Sequence, residues 1–402
     1  MKNNWTETNL ISCLSDVLDY RGKTPKKMGG DWSESGILAL SALNIKFDGL
    51  VNLDSARFVD EELYNRWMKK EVVKGDILLT SEAPSGQVYL WNSDEKIVLS
   101  QRLFALRTNE KVYNKYLKYY LQSEIGQAEI FRNNSGSTVA GISAKTFKNI
   151  IVKYPCYSEQ VKIGDFLYNL DEKISLNNKI MNVIQDFIIQ TYWALVSKNR
   201  AEGSISKCKL SDLVTLQTEN IIPSNLNDVI PYVGLEHISK KNLFLMEHGT
   251  SDQANSTKTI FEKYDILLCK IRPYLHKVCI PFLSGITSTD SIVIRANSKK
   301  NLSVVLNTIF SDIFIDLAVK SSSGSKMPRA DWNTLKDYEI EQPNSGDLEQ
   351  YNQSFYRLLE LCEVYFKENI ELKALRDRSL SLLMNGQISI KDAEEHLAKT
   401  FE

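Results

Sequence analysis

The sequence has almost no excess of charge of either sign. Its 49 lysines and arginines stand against 50 aspartates and glutamates, which gives a formal net charge of −1 over 402 residues. A protein that coats nucleic acid regardless of sequence relies on a strong positive charge. The composition therefore disfavours that class, although a protein that reads base edges needs only a few well-placed donors.

Long apolar runs and paired cysteines are also missing. No run approaches the ~18 apolar residues that suggest a membrane span, and the first five residues are mostly polar. The six cysteines contain no C-x-x-C pair, which indicates free thiols in a reducing compartment. We therefore expect a cytoplasmic protein that has no contact with a membrane.

The usual enzyme motifs are absent as well. Gly22-Lys23-Thr24 looks like the end of a phosphate-binding loop, but Val17 occupies the position where that motif has its first glycine. The four histidines have no metal-binding spacing. We expect no catalytic residue, no metal site and no bound cofactor in this chain.

Two acidic triplets keep an enzymatic alternative open. Asp94-Glu95-Lys96 and Asp171-Glu172-Lys173 match the carboxylate-x-lysine fragment of many metal-dependent nucleases. Such triplets are common by chance in a chain with 25% charged residues. Asp171 also lies in a segment with helical periodicity, for which a solvated helix face is the simpler interpretation.

The strongest positive signal is an internal duplication. Six short anchors occur twice, in the same order, at offsets between 188 and 196 residues. The pairs are Leu14-Ser15-Asp16-Val17 with Leu210-Ser211-Asp212-Leu213, Asp76-Ile77-Leu78-Leu79 with Asp265-Ile266-Leu267-Leu268, Ser135-Gly136-Ser137 with Ser323-Gly324-Ser325, Phe147-Lys148-Asn149-Ile150 with Leu335-Lys336-Asp337-Tyr338, Pro155 with Pro343, and Glu159-Gln160 with Glu349-Gln350. Repeats of about 20 to 50 residues build solenoids, so this much larger offset indicates that a whole domain was copied.

Each copy begins with a region of mixed secondary structure. Short β-branched runs predict strands within 71–79 and 96–100 in the first copy, and within 264–268 and 291–295 in the second. Apolar residues at helical spacing predict one helix over 114–130 and one over 302–319. The predicted fold class is therefore α/β or α+β.

A heptad pattern closes each copy, as in a coiled-coil seam. The first seam is Ile163, Leu167, Leu170, Ile174, Asn177, Met181, Ile184 and Ile188. The second is Phe355, Leu358, Cys362, Tyr365, Asn369 and Leu372, with a rival stripe through Leu359, Phe366 and Ile370. Neither helix is apolar on all sides, so we expect the two to pack on each other in antiparallel fashion and to separate two globular units.

The two asparagines, Asn177 and Asn369, fall at corresponding seam positions. An asparagine in such a core can fix the register at a cost in stability, or the seam can simply tolerate it. The heptad segments also predict the domain division: a globular domain at 1–157, a long helix at 158–198, a second globular domain at 199–346, a second long helix at 347–385 and a tail at 386–402.

Further motifs surround the anchors of the first copy. They are Tyr20-Arg21-Gly22-Lys23-Thr24-Pro25, Gly75-Asp76-Ile77-Leu78-Leu79-Thr80, Leu99-Ser100-Gln101-Arg102-Leu103 and Asn134-Ser135-Gly136-Ser137-Thr138. With the alternation of globular unit and long helix, they make nearly the whole chain resemble the specificity subunits of bacterial type I restriction-modification systems. The second copy departs from the pattern, because 217–223 replaces the Arg-Gly-Lys-Thr-Pro run.

The resemblance implies a division of labour between chains. Each globular unit would be a target recognition domain for one half of a split site in double-stranded DNA, with half-site centres roughly 34 Å apart. The helices would dock two methyltransferase subunits, which use S-adenosylmethionine, and the complex would include two restriction or motor subunits, which use ATP and Mg²⁺. The alternatives are the nuclease acting through Asp94 or Asp171, and a scaffold whose globular units bind protein.

The candidate DNA-binding residues are those with side chains or loops suited to phosphates and base edges. The two Ser/Gly loops contribute Ser135, Ser137, Ser323 and Ser325. The donors of base-edge type are Arg21, Lys23, Gln101 and Arg102 in the first copy and Arg272, Lys326 and Arg329 in the second.

Overall fold

The computed structural model describes residues 5–133, 141–324 and 326–401, and it divides into two compact units. Unit 1 comprises Met1–Ile174 with Glu371–Glu402, and unit 2 comprises Ser175–Ile370. Each unit therefore includes part of both long helices. The mixed helix and strand class predicted from the sequence is confirmed, whereas the domain boundaries drawn from the heptads remain a prediction.

Unit 1 is organised around a four-stranded antiparallel sheet. The elements up to the first long helix are β1 (Thr6–Asn9), β2 (Leu14–Asp19), β3 (Ile37–Leu40), β4 (Ile45–Lys46), β5 (Gly49–Leu50), β6 (Arg57–Val59), α1 (Glu61–Trp67), β7 (Ile77–Thr80), β8 (Val88–Leu90), β9 (Ile97–Leu99), β10 (Leu103–Thr108), α2 (Asn114–Gln122), α3 (Glu124–Arg132), β11 (Ile151–Tyr154) and α4 (Tyr157–Ala201). The main sheet has the order β2-β10-β7-β8, and β6-β3-β9 forms a second sheet. The core on one face of the main sheet includes the buried rings of α2.

Unit 2 repeats this sheet with a different second sheet. Its elements are β12 (Ser206–Lys209), α5 (Leu210–Leu213), β13 (Val214–Gln217), β14 (Asn220–Ile221), β15 (Pro231–Val233), β16 (Gly249–Thr250), β17 (Lys258–Phe261), β18 (Ile266–Cys269), β19 (Val278–Cys279), β20 (Gly285–Ser288), β21 (Ser291–Ala296), α6 (Lys299–Ile309), α7 (Asp312–Lys320), α8 (Trp332–Leu335), β22 (Glu339–Gln342) and α9 (Ser345–Met384), and α10 (Ile390–Phe401) belongs to unit 1. The order β13-β21-β18-β19 matches β2-β10-β7-β8, while β14-β17-β20-β15-β16 has no five-stranded counterpart among the described residues of unit 1.

One ion pair shows the duplication directly. In unit 1, Nε and Nη2 of Arg107 donate to the two carboxylate oxygens of Asp76 at 2.8 and 2.7 Å. In unit 2, Arg295 donates to Asp265 in the same way at 2.7 and 2.8 Å. Both aspartates are almost fully buried, and such bidentate pairs fix geometry as well as charge. We call this contact the Asp–Arg clamp.

The first of the six anchor pairs is wrong. Leu10 N donates to Ile150 O at 2.8 Å, and Leu210 N donates to Tyr338 O at 2.9 Å, so Leu10 corresponds to Leu210 and the offset there is 200. The segment Leu14-Ser15-Asp16-Val17 belongs to β2, which corresponds to β13. The similarity of the two tetrapeptides is local, whereas equivalence is set by the strands that each segment joins.

The two helical segments predicted after the main sheets are each two helices. α2 ends before Ser123, whose hydroxyl accepts from Gly126 N at 3.3 Å and caps α3. α6 and α7 break in the same manner at Ser311, whose hydroxyl accepts from Phe314 N at 3.2 Å. A serine followed by an acidic residue is a helix N-terminal signal, and here it outweighs the apolar periodicity that crosses it.

α4 and α9 run antiparallel to each other in both units. In unit 2, Asn199 Nδ2 donates to Asp347 Oδ2 at 2.8 Å, and Asn177 Nδ2 donates to Asn369 Oδ1 at 2.8 Å. In unit 1, Arg376 Nη1 donates to Asp171 Oδ1 at 2.8 Å. All eight residues of the first seam, from Ile163 to Ile188, are buried.

The second seam follows a mixture of the two stripes. Phe355, Cys362, Asn369 and Leu372 are buried, but Leu359 and Phe366 are buried instead of the predicted Leu358 and Tyr365, which are half-buried, and Ile370 of the rival stripe is exposed. The physical reason is that α9 also covers the core of unit 2, where the Phe366 ring lies 5.7 Å from that of Phe282. A helix with two packing partners needs a wider apolar stripe than a two-helix seam.

Glu363 connects α9 to the sheet of unit 2. Its carboxylate accepts hydrogen bonds from Nζ of Lys263 at 2.7 Å, Oη of Tyr264 at 2.7 Å and Nζ of Lys367 at 2.8 Å. Burial raises the pKa of the Glu363 carboxyl, but these hydrogen bonds outweigh it and lower the pKa to about 2. The ionised carboxylate therefore stabilises the folded state above the ordinary pKa of 4.5, and this contribution is lost as the pH falls towards 2.

Replacing Glu363 with glutamine should lower the free energy of unfolding by about 1 to 2 kcal/mol at pH 7, because the two lysines lose their anionic partner. The difference from the unsubstituted chain should shrink as the pH falls from 5 to 2.5. Urea unfolding at several pH values measures it, with Glu360→Gln, an exposed change on the same helix, as control. A difference that stays constant with pH would contradict this role.

Within the described ranges, no single helix is both long and apolar enough to cross a bilayer. Only α6 and α7 taken together reach that threshold, and they are bent by 67° at their break.

Candidate nucleic-acid interface

Three of the candidate residues lie on one loop of unit 2. Ser323 N donates to Arg329 O at 3.1 Å, and Arg329 N donates back to Ser323 O at 3.0 Å, which closes the loop after α7. Gly324 turns the chain with a φ of +102°, a value that suits glycine. Lys326 is exposed between them, and Ser325 lies outside the described residues.

Arg272 joins this loop from the end of β18. Arg272 N donates to Pro328 O at 2.7 Å, and Ala330 N donates to Lys270 O at 2.8 Å. The structure thus brings Arg272 together with Ser323, Lys326 and Arg329 on one exposed face of unit 2, although Arg272 is far from the other three in sequence. We call it the basic face, and it consists of these four residues.

The three cations of the basic face differ in whether their side chains have a partner within the protein. Arg329 pairs with Asp290 at 3.1 Å and remains about half exposed. For Arg272 and Lys326, no side-chain hydrogen bond or ion pair joins them to any other residue in the described part of the chain. Both side chains are exposed, so they are available to an anionic partner such as a phosphate.

In unit 1, Arg21 and Lys23 are used inside the fold. Nε and Nη2 of Arg21 donate to the Asp19 carboxylate, each at 2.8 Å, and the guanidinium stacks 3.8 Å from the centroid of Phe104. Lys23 Nζ donates to Trp67 O at 2.9 Å. Burial, with the nearby charge of Lys69, lowers the pKa of Lys23. These contacts give both residues a structural role.

Gln101 and Arg102 form the turn between β9 and β10. Gln101 is exposed, and Arg102 has a φ of +65° and directs its Nε to Glu82 at 3.1 Å. Arg102 O accepts from Ser81 N at 2.8 Å. Of the other unit 1 candidates, Ser135 and Ser137 lie outside the described residues.

The carboxylates of the nuclease alternative do not converge. Asp171 accepts hydrogen bonds from Lys118 Nζ at 2.9 Å, from Arg376 at 2.8 Å and from Tyr119 Oη, which makes it the centre of an ion-pair cluster. Asp94 is exposed on a turn. In the part of the chain that the structure describes, no group of three or more His, Cys, Asp or Glu residues could hold a metal ion.

Residues 7–186 match the family described as type I restriction modification DNA specificity domain. The type I restriction enzyme MjaIX specificity subunit of Methanocaldococcus jannaschii is 22% identical over 348 residues, which are 79% of each chain. The EcoDI specificity subunit of Escherichia coli is 22% identical over 58% of this chain and 60% of its own. A crystal structure of the type I S subunit from M. genitalium has a TM-score of 0.57 at 16% identity, covering 94% of this chain and 96% of that one.

The family match identifies a type I restriction-modification DNA specificity domain in residues 7–186, and over most of its length the chain is similar to specificity subunits of such systems. The matched region covers the N-terminal part of unit 1 and about two-thirds of α4, and the structural likeness extends the common fold to nearly all of the chain.

Unit 2 also contains a groove that the sequence did not predict. It has a volume of about 450 Å³ and is lined by Leu216, Gln217, Thr218, Asn220, Thr259, Lys270, Thr289, Ser291, Ile292, Val293, Ala330 and Trp332. Lys270 and Ala330 connect it to the basic face. A signal was present, because the groove begins in 217–223, where the second copy departs from the first.

Proposed function

We propose that this chain is the DNA-recognition subunit of a type I restriction-modification complex and that it recognises a bipartite site. Each unit would read one half-site, and the paired helices would dock two methyltransferase subunits. The observation that carries the proposal is that one chain holds two copies of one framework whose exposed residues differ. Two equal frameworks with different surfaces suit a split, asymmetric sequence.

The chemistry would be supplied by other chains. S-adenosylmethionine would be used by the methyltransferase subunits, and ATP with Mg²⁺ by two restriction or motor subunits. This chain would contribute binding and orientation only, which agrees with the structural engagement of Asp171. We place the complex in the cytoplasm of a bacterium or archaeon, where it meets double-stranded DNA.

The basic face gives a direct test of DNA binding. Arg272→Ala with Lys326→Ala should weaken binding of the assembled complex to all DNA sequences, because each residue would neutralise one phosphate. The slope of log affinity against log salt should become shallower by about 2. Filter binding or fluorescence anisotropy at several salt concentrations measures both.

The matched control is Arg200→Ala with Lys207→Ala, which removes the same charge from exposed cations paired with Glu341 and Glu339. It should leave the slope unchanged. Equal losses in both variants would show that net charge, and not the basic face, is responsible.

Mapping N6-methyladenine in host DNA with and without the gene tests the function as a whole, since deletion should erase one bipartite motif.

A further inference from the structure

The Asp–Arg clamp allows the two units to be compared position by position. Because Arg107 corresponds to Arg295, Phe104 corresponds to Ile292, and β10 places Phe104 opposite Asp19. In unit 2, Val293 pairs with Gln217, which places Ile292 opposite Thr218. Asp19 therefore corresponds to Thr218. The residues two positions further on, Arg21 and Asn220, also correspond.

The same comparison extends to the far side of the sheet. Ile142 N donates to Ser81 O at 2.9 Å in unit 1, as Ala330 N donates to Lys270 O at 2.8 Å in unit 2. Ile142 therefore corresponds to Ala330, and Ser81 to Lys270. The unit 2 residues reached by this comparison, Thr218, Asn220, Lys270, Ile292 and Ala330, all line the groove.

In unit 1, the corresponding space is filled by Arg21. Its guanidinium lies on the Phe104 ring, donates to Asp19 and donates through Nη1 to Ile142 O at 3.1 Å. The side chain is only 27% exposed. Each of its three partners occupies a position whose unit 2 counterpart borders the groove, so unit 1 closes this site with its own arginine.

Among the described residues of unit 2, none fills the space that Arg21 fills in unit 1. Asn220 turns to the second sheet, where its Oδ1 accepts from Thr259 Oγ1 at 3.0 Å. Ile292 and Ala330 are smaller than Phe104 and Ile142, which leaves the opening of about 450 Å³. The groove still contains one cation, which belongs to Lys270. The Lys270 ammonium has no hydrogen-bond or ion-pair partner within the described ranges.

We propose that this groove is the base-reading site of unit 2 and that unit 1 reads its half-site without a counterpart. The inference rests on the proposed function and specifies where it operates. Lys270 would donate to N7 or O6 of a guanine, and the Asn220 and Gln217 amides and the Thr218 and Thr289 hydroxyls would discriminate neighbouring bases. The adjacent basic face would hold phosphates and so position the bases over the groove.

The first experiment fills the groove with the arrangement found in unit 1. The full chain carrying Thr218→Asp, Asn220→Arg and Ile292→Phe is assembled with its methyltransferase subunits, and the N6-methyladenine motif is mapped in host DNA. We expect one half of the motif to be lost or altered and the other half to be retained. An unchanged motif in a folded complex would overturn the proposal.

A single substitution keeps the proposal testable if the triple variant does not fold. Lys270→Ala should relax one position of the same half-site, with a loss of discrimination of about 5- to 150-fold there. Lys207→Ala is the control and should leave every position intact. Relaxation in both halves, or in neither, would overturn the assignment, whereas no motif-specific methylation by the unsubstituted complex would refute the proposed function itself.

Discussion

Replacing Asp171 with asparagine is expected to lower the free energy of unfolding of unit 1 by about 3 kcal/mol. The side chains of Lys118 and Arg376 are 5% and 6% exposed, and Asp171 is the anion between them. Burial raises the pKa of Asp171, but the charges of Lys118 and Arg376 outweigh it and the pKa is lowered. Asparagine keeps the shape and removes the charge, which leaves two buried cations without that partner.

Thermal and urea unfolding measure this loss. Asp186→Asn is the matched control, because it makes the same change at an exposed position of the same helix, and it should alter stability by less than about 0.5 kcal/mol. A stable Asp171→Asn protein that had lost DNA cleavage with Mg²⁺ would instead support the nuclease alternative. Asp94→Asn with the same cleavage assay tests the other acidic triplet.

The second large effect concerns the paired asparagines of the long helices. Replacing Asn177 with leucine should lower the free energy of unfolding of unit 2 by about 2 kcal/mol, because Asn369 Oδ1 and Glu368 Oε2 both lose the donor at 2.8 and 2.7 Å. Asn177 is fully buried and Asn369 is 6% exposed, so water does not readily replace that donor.

Adding Asn369→Leu to Asn177→Leu should recover part of this loss, because it removes the buried Asn369 acceptor that had lost its donor. The hydrogen bond that Asn369 Nδ2 donates to Asn178 Oδ1 at 2.8 Å is lost as well, but Asn178 is only half-buried and can reach water. The sign of the second change is the decisive measurement, and a double-mutant cycle by urea unfolding provides it. Asn182→Leu on the exposed side of α4 is the control. Additive losses in the double variant would show that the two asparagines do not act as a pair.

The sequence predicted the structure best where a helix packs against a single partner. The first seam is buried along its whole length because the apolar positions of α4 recur at a single spacing. The second seam was predicted only in part, because α9 packs on both α4 and the core around Phe282. The spacing of apolar residues does not show which of them face α4 and which face that core.

Alignment of the two copies was limited by a different cause. A β-bulge between Arg107 and Thr108 adds a residue to β2, and the register of β13 against β21 continues without one. Short sequence anchors do not reveal a shift of this kind. The similarity of Leu14-Ser15-Asp16-Val17 to Leu210-Ser211-Asp212-Leu213 therefore indicated the wrong pairing, in place of Leu10 with Leu210. The Asp–Arg clamp, whose members are about 30 residues apart in both copies, would have been the better guide.

The candidate residues of unit 1 have contacts that the sequence did not indicate. Arg21 and Lys23 have the side chains of DNA-binding residues, but composition does not show that an aspartate, an aromatic ring and two carbonyl groups engage them. In unit 2, backbone hydrogen bonds join Arg272 to Pro328 and Lys270 to Ala330, which are far apart in the chain, and tertiary pairing of that kind leaves no local signal in the sequence. Lys270 was missed for this reason.

The Asp–Arg clamp has a consequence for how such a protein changes over generations. Both units retain it, while the residues around the groove differ, so the framework tolerates exchange of the residues that would meet DNA. Under the proposed function, a few substitutions in one unit create a new half-site preference and leave the other intact. The repertoire open to descendants is then the product of two independent sets, and rapid diversification requires no new fold.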